Sequence, residues 1–266
     1  MEEPKDIQLL AKIFDGDPYF RLSLQRETVS GQRIFLLRLN HKAYDLASIH
    51  SYIKSASNDE NALLYKFLLK NETGDYLVAF LIPNIYVNFE SYCLIHRKEM
   101  CSDYLGWLHK IKSILRSQTA LSAKLLYVHP KYKTLLYLPL PDFLGIKENF
   151  SAWIFPSSTP EQAGAYTAAA FLLYLFGIPD PQKCNLSVLP EALLPVIKDS
   201  LSVAENIRPS SLDNFIERIE ATGAMFPKEP GIIDKTKRKL NLFSDWLNEL
   251  RERLGEEHAH SKDDAF

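Results

Sequence analysis

The chain is poor in cysteine and glycine and has no strong charge bias. Its three cysteines, Cys93, Cys101 and Cys184, are odd in number and none sits in a CxxC pair. That spacing suggests neither a disulfide framework nor a zinc site and fits a reducing compartment. There are ten glycines in 266 residues, and no GxSxG, HExxH or Walker-type phosphate loop occurs. The longest apolar run, residues 168–176, is far short of the roughly 20 residues that cross a bilayer, so no membrane span is expected. A net charge of -2 and a pI near 6.4 give no global electrostatic reason to expect nucleic acid or an anionic membrane as partner. The first residues are acidic and lead into no apolar stretch, which argues against a signal peptide. A soluble cytoplasmic protein is the expectation.

With 46% hydrophobic and 24% charged residues, the chain can bury one bilobal domain or two small ones. Residues 19–27 alternate apolar and polar side chains, residues 28–31 form a turn, and residues 33–40 make a second strand. Residues 43–57 carry Leu46, Ile49 and Ile53 at helical spacing. Residues 63–69 and 76–82 flank a turn at 71–75 and read as another hairpin. Pro83-Asn84 then interrupts the strand pattern. Residues 103–121 place Leu105, Leu108, Ile111, Ile114 and Leu115 on one helical face. Short β-like runs at 125–128 and 134–138 bracket His129-Pro130-Lys131-Tyr132-Lys133. Beyond Thr159 helix and turn dominate. Residues 163–176 have no polar face, so a helix there is buried on all sides. The tail helix at 235–254 is amphipathic, and it either packs on its own domain or serves a partner.

Three fragments, in order and spacing, resemble the C-terminal lobe of a protein kinase. They are Thr159-Pro160-Glu161, the apolar stretch 166–177, and Ile207-Arg208-Pro209-Ser210. They are similar to the end of the activation segment, the buried central helix and the Arg-Pro-Ser turn. The resemblance implies that Glu161 and Arg208 pair as a buried structural link, with Ser210 or Ser211 capping a helix from Leu212 to Glu220.

The catalytic parts fare differently. Phosphoryl transfer in this family needs a glycine-rich loop, a strand lysine held by a helix glutamate, a catalytic-loop aspartate with its asparagine, and a metal-binding aspartate. The glycine loop would lie between Phe14 and Leu24, where only Gly16 occurs. The lysine position holds Arg38, a planar fork in place of a compact ammonium. The following helix has no glutamate, and Asp45 at its start reads as dipole compensation. At the catalytic loop, His129 to Leu135 offers neither carboxylate nor asparagine. Asp142-Phe143-Leu144-Gly145 resembles the metal-binding Asp-Phe-Gly with one insertion, or is an ordinary turn. His96 with Glu99 and Cys101, and His258 with His260, read as solvated surface.

These readings combine into an α+β, bilobal, protein kinase-like fold with a small antiparallel-sheet lobe at 1–83, a helical lobe at 84–222 and an amphipathic tail at 223–266. The implied function is a catalytically inactive, pseudokinase-like binding or scaffolding module in cytoplasmic signalling, with a protein partner and no required cofactor. The alternatives are a divergent phosphotransferase, with Asp142 on magnesium and Arg38 and Asp142 on ATP, or an unrelated α+β interaction domain.

Overall fold

The computed structural model describes residues 7–15, 17–116, 121–141, 144, 159–181, 186–202, 204 and 206–223. All of them belong to a compact unit spanning residues 1–225, and residues 226–266 form a second unit. The larger unit is a bilobal α+β structure, as the sequence implies.

The first lobe is a five-stranded sheet in the order β1-β2-β3-β5-β4: β1 (Ile7–Phe14), β2 (Phe20–Glu27), β3 (Arg33–Leu39), β4 (Leu64–Lys70) and β5 (Tyr76–Ile82). Every pairing is antiparallel. Helix α1 (Leu46–Ser57) is inserted between β3 and β4. Asp45 is its N-cap, and its Oδ1 accepts the Ser48 backbone N–H at 2.8 Å. This refines the dipole reading, since an N-cap aspartate satisfies an orphan amide as well as opposing the helix charge.

Side chains alternate across a strand, so each strand serves two faces. Leu22 pairs with Leu37, Leu24 with Phe35, and Phe35 with Phe80. This row packs on Ile49, Ile53 and Ala56 of α1 and constitutes the inner face. Arg21, Ser23, Leu36, Arg38 and Leu77 fall on the opposite, outer face by the same alternation.

The second lobe starts with β6 (Val87–Asn88), α2 (Phe89–Ser102) and α3 (Tyr104–Leu115). The hairpin β7 (Leu126–Val128) and β8 (Leu135–Tyr137) joins β6 in a separate three-stranded sheet, order β6-β7-β8. The central helix α4 (Pro160–Leu175) follows, then α5 (Leu194–Leu201) and α6 (Leu212–Ala221). Residues 165–173 of α4 are all buried, as a helix without a polar face requires. Phe171 stacks on Phe89 with centroids 5.4 Å apart, and Trp107 meets Phe89 edge-on at 5.9 Å. Polar side-chain contacts tie the outer helices together: a His109–Glu220 hydrogen bond at 2.9 Å and ion pairs of Lys112 with Asp213 at 2.6 Å and of Arg218 with Asp199.

The small sheet is the wall between two cores. Leu126, Val128, Leu135 and Tyr137 point into the helical core. Tyr127 and Leu138, with Leu136 alongside, point into the core beneath the large sheet. One hairpin with period-two alternation thus serves both lobes. Backbone bonds reinforce it, with Leu63 N–H donating to Tyr137 O at 2.8 Å and Tyr137 N–H to Asn61 O at 2.9 Å. Tyr52 Oη also donates to Pro139 O at 2.7 Å.

Three elements went unread in the sequence, β1, β6 and α2, and the helix expected over 103–121 is described only as Tyr104–Leu115. The tail helix expected at 235–254 lies outside the described residues.

Because Tyr127 seals the boundary between the cores, Tyr127→Ala is expected to cost about 3–5 kcal/mol. Leu64→Ala, at an exposed position of β4, is expected to stay within about 0.5 kcal/mol. Urea melts followed by fluorescence and by circular dichroism should coincide in the wild type. Two separated transitions would show that the lobes fold independently.

Candidate functional site

The large sheet and the helical lobe face each other across a space where the sequence resemblance implies a nucleotide. The inner face of the sheet presents Phe35, Leu37, Leu39, Val78 and Phe80 to that space. From below, Leu125, Tyr127, Leu138, Leu140 and Leu144 fill it. Tyr127 meets Phe35 edge-on, centroids 5.8 Å apart, and all these side chains are buried. The Arg33 guanidinium lies 6.0 Å from the centroid of the Tyr127 ring and donates to Tyr86 O at 2.6 Å. Burial pushes the Tyr127 hydroxyl up to about 12, so it stays neutral at physiological pH. The aliphatic and phenylalanine side chains here offer a phosphate neither charge nor donors, and Arg33 beside them is bonded to Tyr86 O.

Arg38 is placed elsewhere. It lies on the outer face, across the sheet from α1, because it alternates with the inward Leu37 and Leu39. Its Nε donates to Asp75 Oδ2 at 2.9 Å and its Nη2 to Thr73 Oγ1 at 3.1 Å. Asp75 also receives the His41 ring at 3.2 Å. Gly74, with φ +89°, brings this turn against His41, and a Cβ there would sit 3.2 Å from the imidazole. Burial raises the Asp75 carboxyl, but the hydrogen bonds from Arg38, His41 and Thr73 outweigh it and hold it below its ordinary value. The geometry thus joins Arg38 to the β4–β5 turn. Asp142, the other cofactor and metal candidate, lies outside the described residues.

Where the catalytic loop would run, the structure has the tight β7–β8 turn. His129 N–H donates to Thr134 O at 2.9 Å and Lys133 N–H to His129 O at 2.8 Å. His129 Nδ1 accepts from the Lys131 and Tyr132 amides, both at 3.2 Å. Lys133 has a left-handed backbone, φ 57°. Its ammonium donates to Tyr92 Oη and to Glu99 Oε1, the latter at 2.9 Å. The Tyr92 bond first, and Glu99 with it, raise the Lys133 pKa, while Lys133 lowers that of Glu99. This lysine fastens the turn to α2. The sequence marked Glu99 only as solvated surface, since the fold and not local spacing brings it to Lys133.

The two structural signatures take new roles. Thr159-Pro160-Glu161 is the first turn of α4: Thr159 Oγ1 accepts the Gln162 N–H at 3.4 Å, proline follows, and Glu161 faces solvent at the positive end of the helix. Arg208 is buried, 6% exposed, and its Nε donates to Ser202 O at 2.5 Å, just past the C-terminal end of α5. Among the described residues no ion pair joins Glu161 to Arg208, so the expected pairing is replaced by a helix start and a helix-end contact. Of the two alternative caps for α6, Ser211 is the one used, with its Oγ accepting the Asn214 N–H at 3.1 Å. Among the described residues no group of three or more His, Cys, Asp or Glu side chains is arranged to hold a metal ion. No described helix is long and apolar enough to cross a membrane.

No protein-family model matches the chain, and neither does any curated protein sequence. Among solved structures, the Cydia pomonella granulovirus kinase PK-1 is similar at 10% identity with a TM-score of 0.48. The likeness covers 80% of this chain and 94% of that one.

Two measurements check these contacts. Asp75, with its pKa lowered, contributes stability above about pH 4, its ordinary range, and that contribution is lost as pH falls through the lower folded value. Asp75→Asn should therefore be less stable than wild type at pH 7 in urea melts, with the gap closing on acidification. A gap that widens at low pH would refute the assignment. Arg208→Ala should cost about 2–3 kcal/mol through lost packing and a charged hydrogen bond, while exposed Arg26→Ala should change little.

Proposed function

We propose that this chain is a kinase-like domain without phosphotransferase activity that serves as a protein-binding or scaffolding module in cytoplasmic signalling. The observation that carries the reading is the apolar seal between the lobes. Phe35, Leu37 and Phe80 pack against Tyr127 and Leu138 where a nucleotide would need donors and charge. Two further features favour it. The turn at 129–134 holds no carboxylate to orient an acceptor hydroxyl, and Arg38 is committed to Asp75 on the outer face. Positioning of charge is most of what a kinase supplies, and these residues are built for packing instead.

The divergent-enzyme reading turns on Asp142 and is the outcome that would displace this one. Incubation with radiolabelled ATP and magnesium is expected to give no transfer to generic substrates or to the chain itself. Transfer by the wild type that disappears in Asp142→Ala would make the chain a phosphotransferase. In parallel, ATP at about 5 mM with magnesium should leave the melting temperature nearly unchanged, because a ligand held at 100 times its Kd would add ~2.7 kcal/mol. A large upward shift that Asp142→Ala abolishes would establish a nucleotide site.

A further inference from the structure

The outer face of the five-stranded sheet carries a cavity of about 360 Å³. Leu9, Leu36, Phe67 and Leu77 supply apolar walls, and Leu9 is 51% exposed. Lys12, Arg21 and Arg38 stand around it on three successive strands, with Asp15 as the acidic member of the lining. A second hollow of about 90 Å³ adjoins it and shares Arg21 and Arg38.

The arrangement of these cations is the informative part. Arg21 and Arg38 are directly opposed partners in the β2–β3 register. Like charges in that relation destabilise a sheet. Each is balanced from one end only. Asp15 meets Arg21 at 3.2 Å and Lys12 at 2.6 Å, and Asp75 meets Arg38 at 2.8 Å. Arg21 and Lys12 are 62% and 64% exposed, so solvent screens their pairs with Asp15 and the pairs hold them only weakly. Those contacts can be exchanged for a better acceptor at little cost. Guanidinium groups favour planar carboxylates, which they grip with two parallel bonds.

We propose that this outer sheet face docks a peptide segment of a partner protein in which acidic residues alternate with bulky apolar ones. The apolar side chains would enter the cavity over Leu36, Phe67 and Leu77, and the carboxylates would meet Arg21 and Lys12, with Arg38 behind them. A peptide fits better than a single-headed amphiphile because the cations are spread in a row over β1, β2 and β3. Strand spacing of about 4.8 Å distributes them over more than one headgroup could span. The site deepens the scaffolding reading and rests on it, yet it is testable apart from it, since phosphate transfer and peptide docking use opposite faces of the sheet.

The test pans the immobilised whole chain against a phage library of random peptides of about twelve residues. Synthetic versions of the enriched peptides are then titrated by fluorescence anisotropy. Enriched sequences are expected to combine Asp or Glu with Leu, Phe or Trp. Their affinity should fall about tenfold or more in Arg21→Ala and in Leu9→Asp, and it should weaken as salt is raised. Both substitutions are at exposed positions, and unchanged circular dichroism and melting temperature verify that each variant folds. Dodecanoate and inorganic phosphate serve as competing probes. Four results would overturn the proposal: no enrichment, enrichment of basic or neutral peptides, affinities that ignore both substitutions, or binding of dodecanoate or phosphate alone. Loss of peptide docking without phosphate transfer would leave the inactive-module reading standing. Transfer together with docking would remove that reading and keep the site.

Discussion

Everything in the larger unit depends on Tyr127 lying against Phe35. The β7–β8 hairpin is only three residues per strand, too short to be stable alone. It persists because its two faces close two different cores at once. The helical lobe gains Leu126, Val128 and Leu135, the sheet lobe gains Tyr127 and Leu138, and the main-chain bonds to Asn61 and Leu63 lock the register. A one-residue slip would exchange the two sets and leave both cores wrongly filled.

The same constraint bears on the proposal that this two-lobe domain acts without phosphoryl transfer. An active site between lobes requires polar side chains at the seam and room for a ligand. Here Phe35, Leu37, Phe80, Tyr127 and Leu138 at the seam are all buried. Two described charged groups nearby act as fasteners. Arg33 holds Tyr86 at the crossing between the lobes, and Lys133 holds the hairpin turn to α2 through Tyr92 and Glu99. These are contacts that stabilise one conformation rather than poise two.

Much of the fold was legible because alternation and helical spacing report burial directly. The strands β2, β3 and β5, the buried helix α4 and the capped helix α6 follow from their patterns. Strand β1 did not, since two register shifts break its alternation. Helix α2 did not either, because Leu94 and Ile95 face solvent and blur its apolar stripe. The candidate site was less legible. Arg38 was placed by its position in a motif, whereas the alternation of Phe35, Leu37 and Leu39 already assigns it to the other face. Glu161 and Arg208 were read as mutual partners from two short matches, yet each has a local explanation in the helix end it adjoins. The Lys133–Glu99 contact spans 34 positions, and no pattern within either segment announces it.

Strand β1 ends the sheet order, and its pairing to β2 is interrupted between Leu9 and Ala11 and again between Lys12 and Phe14. Edge strands that stay flat and regular invite further strands to add without limit. A strand bent twice within eight residues, with Lys12 near its second bend, is a poor template for such growth. The same irregularity that hid β1 from a reading of periodicity therefore guards the molecule against ordered aggregation. It also means that a partner meeting this side of the domain must engage the surface of the sheet rather than extend it.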